Sequence, residues 1–570
     1  MINKTSNKLN LILYIILSCP YFIMAQSILL NEDHSDWENV DLVSSDFDDG
    51  QFIDIRELKI ANDDNYLFLR FSFDQEIILQ DENDITLYLD IDNEITTGNS
   101  FNGMGADIIF NFGQKRGNFY GNQIFSIFHN DIGLISSPTV SSTEFEIGIK
   151  RQFDFTNLSM ANDIKLFIRT SSFLGDYIPN EEEAASYQMK DNIPSFAGDY
   201  NIFPDPNADF RVMSYNVLRD QIFEPESKDA YSRILSTVKP DIFCFQEIYD
   251  HNATSLLNYL EDLDVINTIQ EEWYAIKDGR DLITLSKYPI KFHREVFGNS
   301  FLVADVDGQD LIIINCHLPC CDNNNGREEE IDAILSFLRN GLEGNAPYPI
   351  ISGTPYMILG DMNFVGFASQ VESLLTGNID DNYRFGDDVV LDWDDGLMTD
   401  VKPQTTGFPA TFTWYNPFGS FSAGRLDYCI YTDATMEATN SYVLNTNGLS
   451  QSEIQETGLE IDDVNQASDH LPLIMDFKLL QTSTIDFSDE ITIELSPNPF
   501  KDYLNIKSDN DVYSIQLIDN NGKIVFFKSL GAHLGKEINI QVTNHLKSGS
   551  YTAIIHTKNG YSSKPLIVVN

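Results

Sequence analysis

The 570-residue sequence predicts a multidomain α+β protein in which an α/β middle is flanked by an N-terminal β-sandwich and a small C-terminal β-sandwich. Three patterns predict this. Residues 27–205 hold short alternating apolar runs separated by Asn, Asp and Gly turns. Residues 207–480 interleave fully apolar strands with helical stretches, and residues 491–570 return to short alternating strands. The length exceeds one ordinary domain. An apolar fraction of 42%, with 25 Tyr and 39 Phe, suffices for several cores and excludes global disorder.

The chain opens on an export signal. Lys4 and Lys8 precede the apolar run Leu9–Ile23, and Ala25-Gln26 offers a small-residue cleavage point, so residues 1–26 read as a signal peptide. The run is short for a membrane span and no other stretch is long and apolar enough, so no transmembrane segment is expected after signal removal. Cys19 is a poor lipoprotein cysteine, because Leu17 stands directly before Ser18. Of the remaining five cysteines, Cys244, Cys316 and Cys429 sit in apolar strand-like runs and read as buried thiols. Cys320 and Cys321 are adjacent in a loop, where a strained vicinal disulfide can form. The spacing suits neither a disulfide framework nor a zinc site.

In residues 27–205, Asn65–Phe73 places Leu67, Leu69, Phe71 and Phe73 on one face, and the alternation recurs over 85–90 and 107–112. Residues 181–209, polar and bearing Pro194, Pro204 and Pro206, read as a linker, and a second connector falls near 482–490. In the tail, Ile515–Ile518 and Lys523–Phe527 flank a hairpin turn, Asp519–Gly522.

The net charge of −51 is unevenly spread: −21 over residues 1–206, −29 over 207–480 and +1 over 490–570. A middle region at −29 cannot grip a polyanion through a broad basic face, the usual source of nucleic-acid affinity. A phosphate-bearing substrate therefore needs local positive charge, and a bound cation is the natural supply.

Chemistry-bearing residues concentrate at strand ends of the middle region. The strand Arg211–Val217 carries Asn216 at its end, and the helical stretch Tyr231–Val238 leads into Pro240–Glu247. Further strands are Asp281–Ser286, Leu311–His317, Tyr356–Asp361, Arg425–Tyr431 and Leu471–Met475, the last preceded by Asp469-His470. A polar residue is expected wherever an apolar strand reaches water. The repetition of carboxylate, amide and imidazole at such ends is what a sheet does when it presents a site.

In order along the chain, Ser214-Tyr-Asn216, Phe245-Gln-Glu247, Leu285-Ser-Lys-Tyr-Pro-Ile290, Asn315-Cys-His-Leu318, Gly360-Asp-Met-Asn363, Thr413-Trp414 with Arg425-Leu-Asp427, and Ser468-Asp-His-Leu-Pro472 resemble the motif set of the endonuclease/exonuclease/phosphatase superfamily. That resemblance implies a central four-layer α/β sandwich of two packed mixed sheets with the site at one end. It implies Mg²⁺ or Mn²⁺ on Glu247, with Asn216 and Asp469 as further candidate ligands. It also implies Asp361 and Asn363 orienting the attacking water and contacting phosphate, Asp427 and His470 as a carboxylate–imidazole dyad, and His317 donating to phosphate or the leaving group.

Leu426-Asp-Tyr-Cys429 differs from the Trp-Cys-Asp-Arg stretch of inositol-polyphosphate phosphatases, and His317 resembles deoxyribonuclease-like and sphingomyelinase-like members more than abasic-site endonucleases. Arg280, Arg327 and Arg384 are candidates to hold DNA, and Asn416–Phe421 is a weak candidate for a membrane-entering hairpin. The leading expectation is a secreted, metal-dependent phosphodiesterase with nuclease activity, acting on nucleic acid or phospholipid. The alternatives are a sphingomyelinase-like phospholipase C, or a surface glycan-binding protein with an inactive middle domain.

Asp90-Ile-Asp92-Asn93, Thr97-Gly98 and Gly105-Ala-Asp107 resemble the strand-end loops of carbohydrate-binding-type sandwiches and imply a structural Ca²⁺ in the N-terminal domain. Ser496-Pro-Asn-Pro-Phe500, Leu504-Asn-Ile506, Gly522-Lys523 and Leu546…Gly549-Ser-Tyr551 resemble the type A C-terminal sorting domain of the type IX secretion system. The ending, Ile567-Val-Val-Asn570, departs from that family, which usually closes near a lysine. The resemblance implies handling by the type IX machinery and a secreted or cell-surface location.

Overall fold

The computed structural model describes residues 27–480 and 493–569, apart from 48–49, 51, 82, 154, 157, 171–174, 180–183, 197, 509–511, 519–523, 531–536, 543–545 and 558–559. The signal sequence with Cys19, the connector at 482–490 and the turn at 519–522 lie outside the described residues.

The N-terminal region is built on two antiparallel sheets. Leu42–Ser45, Ile55–Asn62, Tyr66–Ile77, Ser142–Lys150 and Ile135–Ser137 form one in that order. The other runs Tyr177–Ile178, Asp163–Thr170, Ile85–Asp90, Ile108–Asn111, Arg116–Tyr120 and Ile124–Ile127. The alternation read from sequence is visible here, since Leu67, Leu69, Phe71 and Phe73 enter the core between these sheets with Leu87, Leu89 and Phe110. The opposite face of that strand is also buried at Tyr66 and Phe68. Those two rings join the core of the middle region, together with Ile28, Leu30 and Trp37.

Part of the expected linker at 181–209 is tied to the regions on either side. Ala185–Gln188 adds a strand beside Asp163–Thr170. Asn62 anchors the chain around that strand, with its Nδ2 donating to Lys190 O at 3.0 Å and its Oδ1 accepting from Lys190 N and the Tyr187 hydroxyl, each at 2.9 Å. The buried guanidinium of Arg211 donates to the carbonyls of Ile202 and Phe203 and pairs with Asp476 at 2.5 Å. Polarity in this stretch serves hydrogen bonding rather than freedom, because packed irregular backbone needs partners.

The middle region contains two six-stranded mixed sheets. Its strands are β1 (Phe210–Asn216), β2 (Ile242–Gln246), β3 (Tyr274–Asp278), β4 (Leu282–Ser286), β5 (Ile290–Val296), β6 (Asn299–Val306), β7 (Gln309–His317), β8 (Tyr356–Asp361), β9 (Thr399–Asp400), β10 (Asp427–Tyr431), β11 (Met436–Val443) and β12 (Leu473–Leu479). Sheet orders are β3-β4-β2-β1-β12-β11 and β5-β6-β7-β8-β10-β9. Period-2 alternation divides the second sheet. Leu311, Ile313, Met357 and Leu359 share a core with the first sheet, whereas Ile312, Ile314, Tyr356 and Ile358 pack with Ile331, Ile334, Leu335 and Leu338 of helix α1 (Asn324–Leu342).

Register brings the polar strand ends together. β1 and β2 run parallel with Asn216 opposite Gln246, and β7 and β8 run parallel with His317 opposite Asp361. β10 is antiparallel to β8 and starts with Asp427 opposite Asp361. β12, antiparallel to β1, starts just after His470, and β4, antiparallel to β2, starts just after Asp281. Parallel strands ending and antiparallel strands beginning place these residues at one edge of the sheets.

The tail forms a three-stranded and a four-stranded antiparallel sheet around its own core, which includes Phe500, Leu504, Ile515, Leu517 and Ile555.

Candidate active site

At this edge of the sheets Glu247 after β2, with φ 64°, and Asn363 after β8, with φ 50°, hold left-handed backbone. Such conformations cost a non-glycine residue about 1–3 kcal/mol and persist only where the surroundings enforce them. Around Glu247 the enforcement is visible. Its N–H donates to Asp281 Oδ2 at 3.1 Å, its Oε2 accepts from Arg219 N at 2.9 Å, and its Oε1 accepts from Asn216 Nδ2 at 3.2 Å.

Asp361 is the hub. Its Oδ2 accepts from Asn216 Nδ2 at 2.9 Å and lies 3.6 Å from both His317 Nε2 and His470 Nε2, while its Oδ1 accepts from Asn363 N at 3.0 Å. His317 Nε2 is also 3.9 Å from Glu247 Oε1. Each imidazole is oriented from its far side by a carboxylate, His317 Nδ1 at 2.6 Å from Asp281 and His470 Nδ1 at 2.9 Å from Asp427. The carboxylate holds the proton on Nδ1, so both rings present Nε2 to the centre. Asn363 Nδ2 donates to Leu318 O at 3.0 Å, tying the loop after β8 to the one after β7.

Burial opposes charge on both imidazoles, yet the carboxylates prevail. The Asp281 hydrogen bond, with Asp361 and Glu247, pushes His317 up to about 9. The charges of Asp427 and Asp361 push His470 up to about 10. Both rings are therefore protonated at neutral pH while no cation neutralises those carboxylates.

The donor set suits a hard divalent ion. Ligand atoms of Glu247, His317 and Asp361 lie within 4.8 Å of one another, as do those of Asp361, Asp427 and His470. Carboxylate and amide oxygens fit Mg²⁺ or Mn²⁺, and one or two carboxylates suffice for Mg²⁺. Asp469, a sequence candidate for the same ion, belongs to neither group. Its Oδ2 instead accepts from Trp414 Nε1 at 3.1 Å, and its Oδ1 is buried without a partner.

Sequence reasoning missed Asp281. The signal was present: it immediately precedes β4, whose antiparallel pairing with β2 sets it beside Glu247, but that pairing is a tertiary fact. Gln246 and Asn315 were read only as motif letters. In the fold Gln246 Nε2 donates to Asn315 Oδ1 at 2.8 Å and Asn315 Nδ2 to Thr284 Oγ1 at 3.2 Å, so they stitch the two sheets together beneath the strand ends.

The arginines divide. Arg327 is fully buried, with donors spent on Pro319 O, Cys321 O, Asn324 and Gln370, so it shapes the loop after β7 and cannot hold DNA. Arg384 pairs with Glu329 at 2.6 Å. Arg280 is exposed, with its guanidinium 5.0 Å from the Tyr249 ring. Cys320 and Cys321 are exposed free thiols, not a vicinal disulfide. In the loop Asn416–Phe421, Phe418 is 97% exposed, but the base is clasped by the N-terminal domain: His129 Nε2 donates to Gly419 O at 3.1 Å and Lys115 lies 4.4 Å over the Phe421 ring. Among the described residues no helix is long and apolar enough to cross a membrane.

Residues 213–470 match the endonuclease/exonuclease/phosphatase family, and residues 494–569 match a secretion system C-terminal sorting domain. The middle of the chain is thus similar to a family of phosphoester hydrolases, and the tail matches a sorting domain of the type IX secretion system, which indicates a secreted or cell-surface location. Similar solved structures include an endonuclease/exonuclease/phosphatase family protein from Leptotrichia buccalis, 14% identical with a TM-score of 0.32 over 47% of this chain and 99% of that one. Truncated TDP2 from Caenorhabditis elegans is 16% identical with a TM-score of 0.31 over 47% and 97%. Sphingomyelinase C from Streptomyces griseocarneus is 14% identical with a TM-score of 0.29 over 47% and 98%. No curated protein matches the chain.

Proposed function

We propose that the protein is a secreted, divalent-metal-dependent phosphodiesterase, with the phosphodiester of a nucleic acid as its leading substrate class. One observation carries this: two imidazoles, each oriented by its own carboxylate, present Nε2 to a single oxygen of Asp361 beside Glu247. Glu247, with Asn216 and Asp361 next to it, would hold Mg²⁺ or Mn²⁺, which supplies charge neutralisation at phosphorus. Asp361 and Asn363 orient the attacking water, and Asp361 accepts its proton. His470, fixed by Asp427, and His317, fixed by Asp281, donate to the phosphoryl oxygens and the leaving oxygen. The reading extends to the layout: residues 207–480 as a helix–sheet–sheet–helix sandwich in four layers, residues 27–205 and 491–570 as flanking β-sandwiches, and residues 1–26 as the signal peptide.

The test is hydrolysis of plasmid DNA, RNA, sphingomyelin and bis(p-nitrophenyl) phosphate, with Mg²⁺, Mn²⁺ or EDTA. EDTA is expected to abolish cleavage, and His470→Ala to lower the rate about 10²- to 10⁴-fold. A purified protein that leaves all four intact with either metal sinks the proposal. A phospholipase C is the second reading, favoured by the fully exposed Phe418 at the tip of a clasped loop. Phosphocholine release from sphingomyelin without DNA cleavage selects it.

A calcium site in the N-terminal domain is proposed on Asp90, Asp92 and Asp107, whose ligand oxygens lie within 4.8 Å of one another. Asp90 Oδ1 is buried there without a hydrogen-bond partner. Calcium should raise the melting temperature of EDTA-treated protein, and Asp92→Asn should erase that shift.

A further inference from the structure

The loop joining the N-terminal strands Ile135–Ser137 and Ser142–Lys150 reaches into the middle domain. Thr139 Oγ1 lies 2.9 Å from Phe364 O and 3.0 Å from Arg425 O. Ser141 N donates to Gly366 O at 2.7 Å, and Ser141 Oγ accepts from Ala368 N at 3.1 Å. Val140, between them, is buried in one core with Met362, Phe364 and Tyr428. Both anchored segments run into the site: Phe364 follows Asn363 directly, and Arg425 stands two residues before Asp427. The segments also touch each other, Met362 N donating to Leu426 O at 2.9 Å.

Hydrogen bonding and shape both specify threonine. A hydroxyl has a single hydrogen, and at near-equal distance from two carbonyls it is shared, pinning both chains to one point. The methyl is fitted as well: a Cβ added to Gly424 would stand 2.7 Å from Thr139 Cγ2. A threonine Cγ2 is held by a stiff, β-branched side chain and cannot swing away cheaply. Valine would keep the shape and lose the bond; serine would keep the bond and lose the methyl. A second tie lies nearby, where the buried guanidinium of Arg425 pairs with Asp400 and stands 3.6 Å from Glu32 of the N-terminal region.

We infer that Thr139 is a positioning residue of the phosphodiesterase centre. Through it, the N-terminal domain wedges residues 139–141 against the segments 361–366 and 425–427 and sets the spacing of Asp361 and Asn363 from Asp427. The inference rests on the phosphodiesterase reading for its activity readout only.

The experiment uses the full chain and bis(p-nitrophenyl) phosphate. Thr139→Val is expected to lower kcat about 10- to 100-fold, the usual consequence of displacing catalytic groups by about 1 Å. KM should stay nearly constant, and Thr139→Ser should restore most of the rate. Gly424→Ala should lose activity alone and regain it when combined with Thr139→Ser, because removing the methyl clears the added Cβ. Hydrogen exchange over 361–368 and 423–428 should quicken in Thr139→Val. A Thr139→Val protein with wild-type kcat, or a Gly424→Ala defect that Thr139→Ser does not relieve, overturns the inference. If the wild type cleaves no diester, the phosphodiesterase reading fails on its own, and unchanged exchange in Thr139→Val then overturns the wedge independently.

Discussion

The N-terminal and C-terminal β regions look alike as sequence, both being short alternating strands between Asn-, Asp- and Gly-rich turns, yet the fold treats them differently. The tail closes around its own apolar core, with Phe500, Leu504, Ile515 and Ile555 packed, among the described residues, in a cluster of tail residues. The N-terminal region has such a core too, but it also sends Ile28, Leu30, Trp37, Tyr66 and Phe68 into the core of the middle domain. It further pairs Leu30 with Ala410 and Ile135 with Ala423 backbone to backbone. The difference lies in the second face of a strand. At the start of Tyr66–Ile77 both faces are apolar: Leu67 and Leu69 pack within the N-terminal region, and Tyr66 and Phe68 on the other face must be covered by something else.

The largest test of this contrast is deletion of residues 27–205. It uncovers the surface held by Ile28, Leu30, Trp37, Tyr66 and Phe68, worth roughly 10 kcal/mol at about 1.5–3 kcal/mol per buried side chain. That matches the whole stability of an ordinary domain, about 5–15 kcal/mol. Residues 207–480 expressed alone are expected to be insoluble or to lack a cooperative melt; a sharp melting transition for that fragment would break the comparison.

A smaller effect concerns pH. His317 and His470 are held at about 9 and about 10 in the fold, above the ordinary imidazole value of about 6.5. Their contribution to stability is fully present below pH 6.5 and is lost as pH rises through 9 and 10, on the order of 3 kcal/mol for His317 and 5 kcal/mol for His470. In EDTA the melting temperature should fall between pH 6 and pH 10, and the fall should shrink in His470→Asn. A divalent cation on Glu247 and Asp361 would supply the positive charge instead, so added Mg²⁺ should flatten the profile. An EDTA-treated protein equally stable at both pH values contradicts the dyad geometry.

The smallest effect is expected from removing residues 491–570. With its core self-contained, its loss should leave both the main melting transition and the hydrolysis rate unchanged. A shift of several degrees after this truncation would erase the distinction between the two β regions.

Much of the site was legible because the middle strands are apolar throughout and stop abruptly. Asn216, Glu247, His317 and Asp361 are polar residues at the ends of such runs, and their residue types suit one chemistry. Asp281 escaped because a polar residue opening a strand is ordinary until its neighbour is known. Asp469 adjoins His470 in sequence, yet consecutive residues in extended backbone point to opposite sides, and its Oδ2 accepts from Trp414 Nε1. Within 181–209 the strand Ala185–Gln188 and the carbonyls of Ile202 and Phe203 were not legible, because proline and polar residues mark hydrogen-bonded connections as readily as free ones.

The sequence by itself determined where the strands lie, which face of each is apolar, and which residue types stand at their ends, since these depend on local periodicity and on what water tolerates. Only the tertiary structure decided that Asp281 serves His317, that Asp361 Oδ2 faces both imidazoles, and that Thr139 of the N-terminal region reaches the carbonyls beside Asn363 and Asp427. Such pairings depend on sheet order and on the packing of one region against another, and residues hundreds of positions apart leave no local periodicity to read.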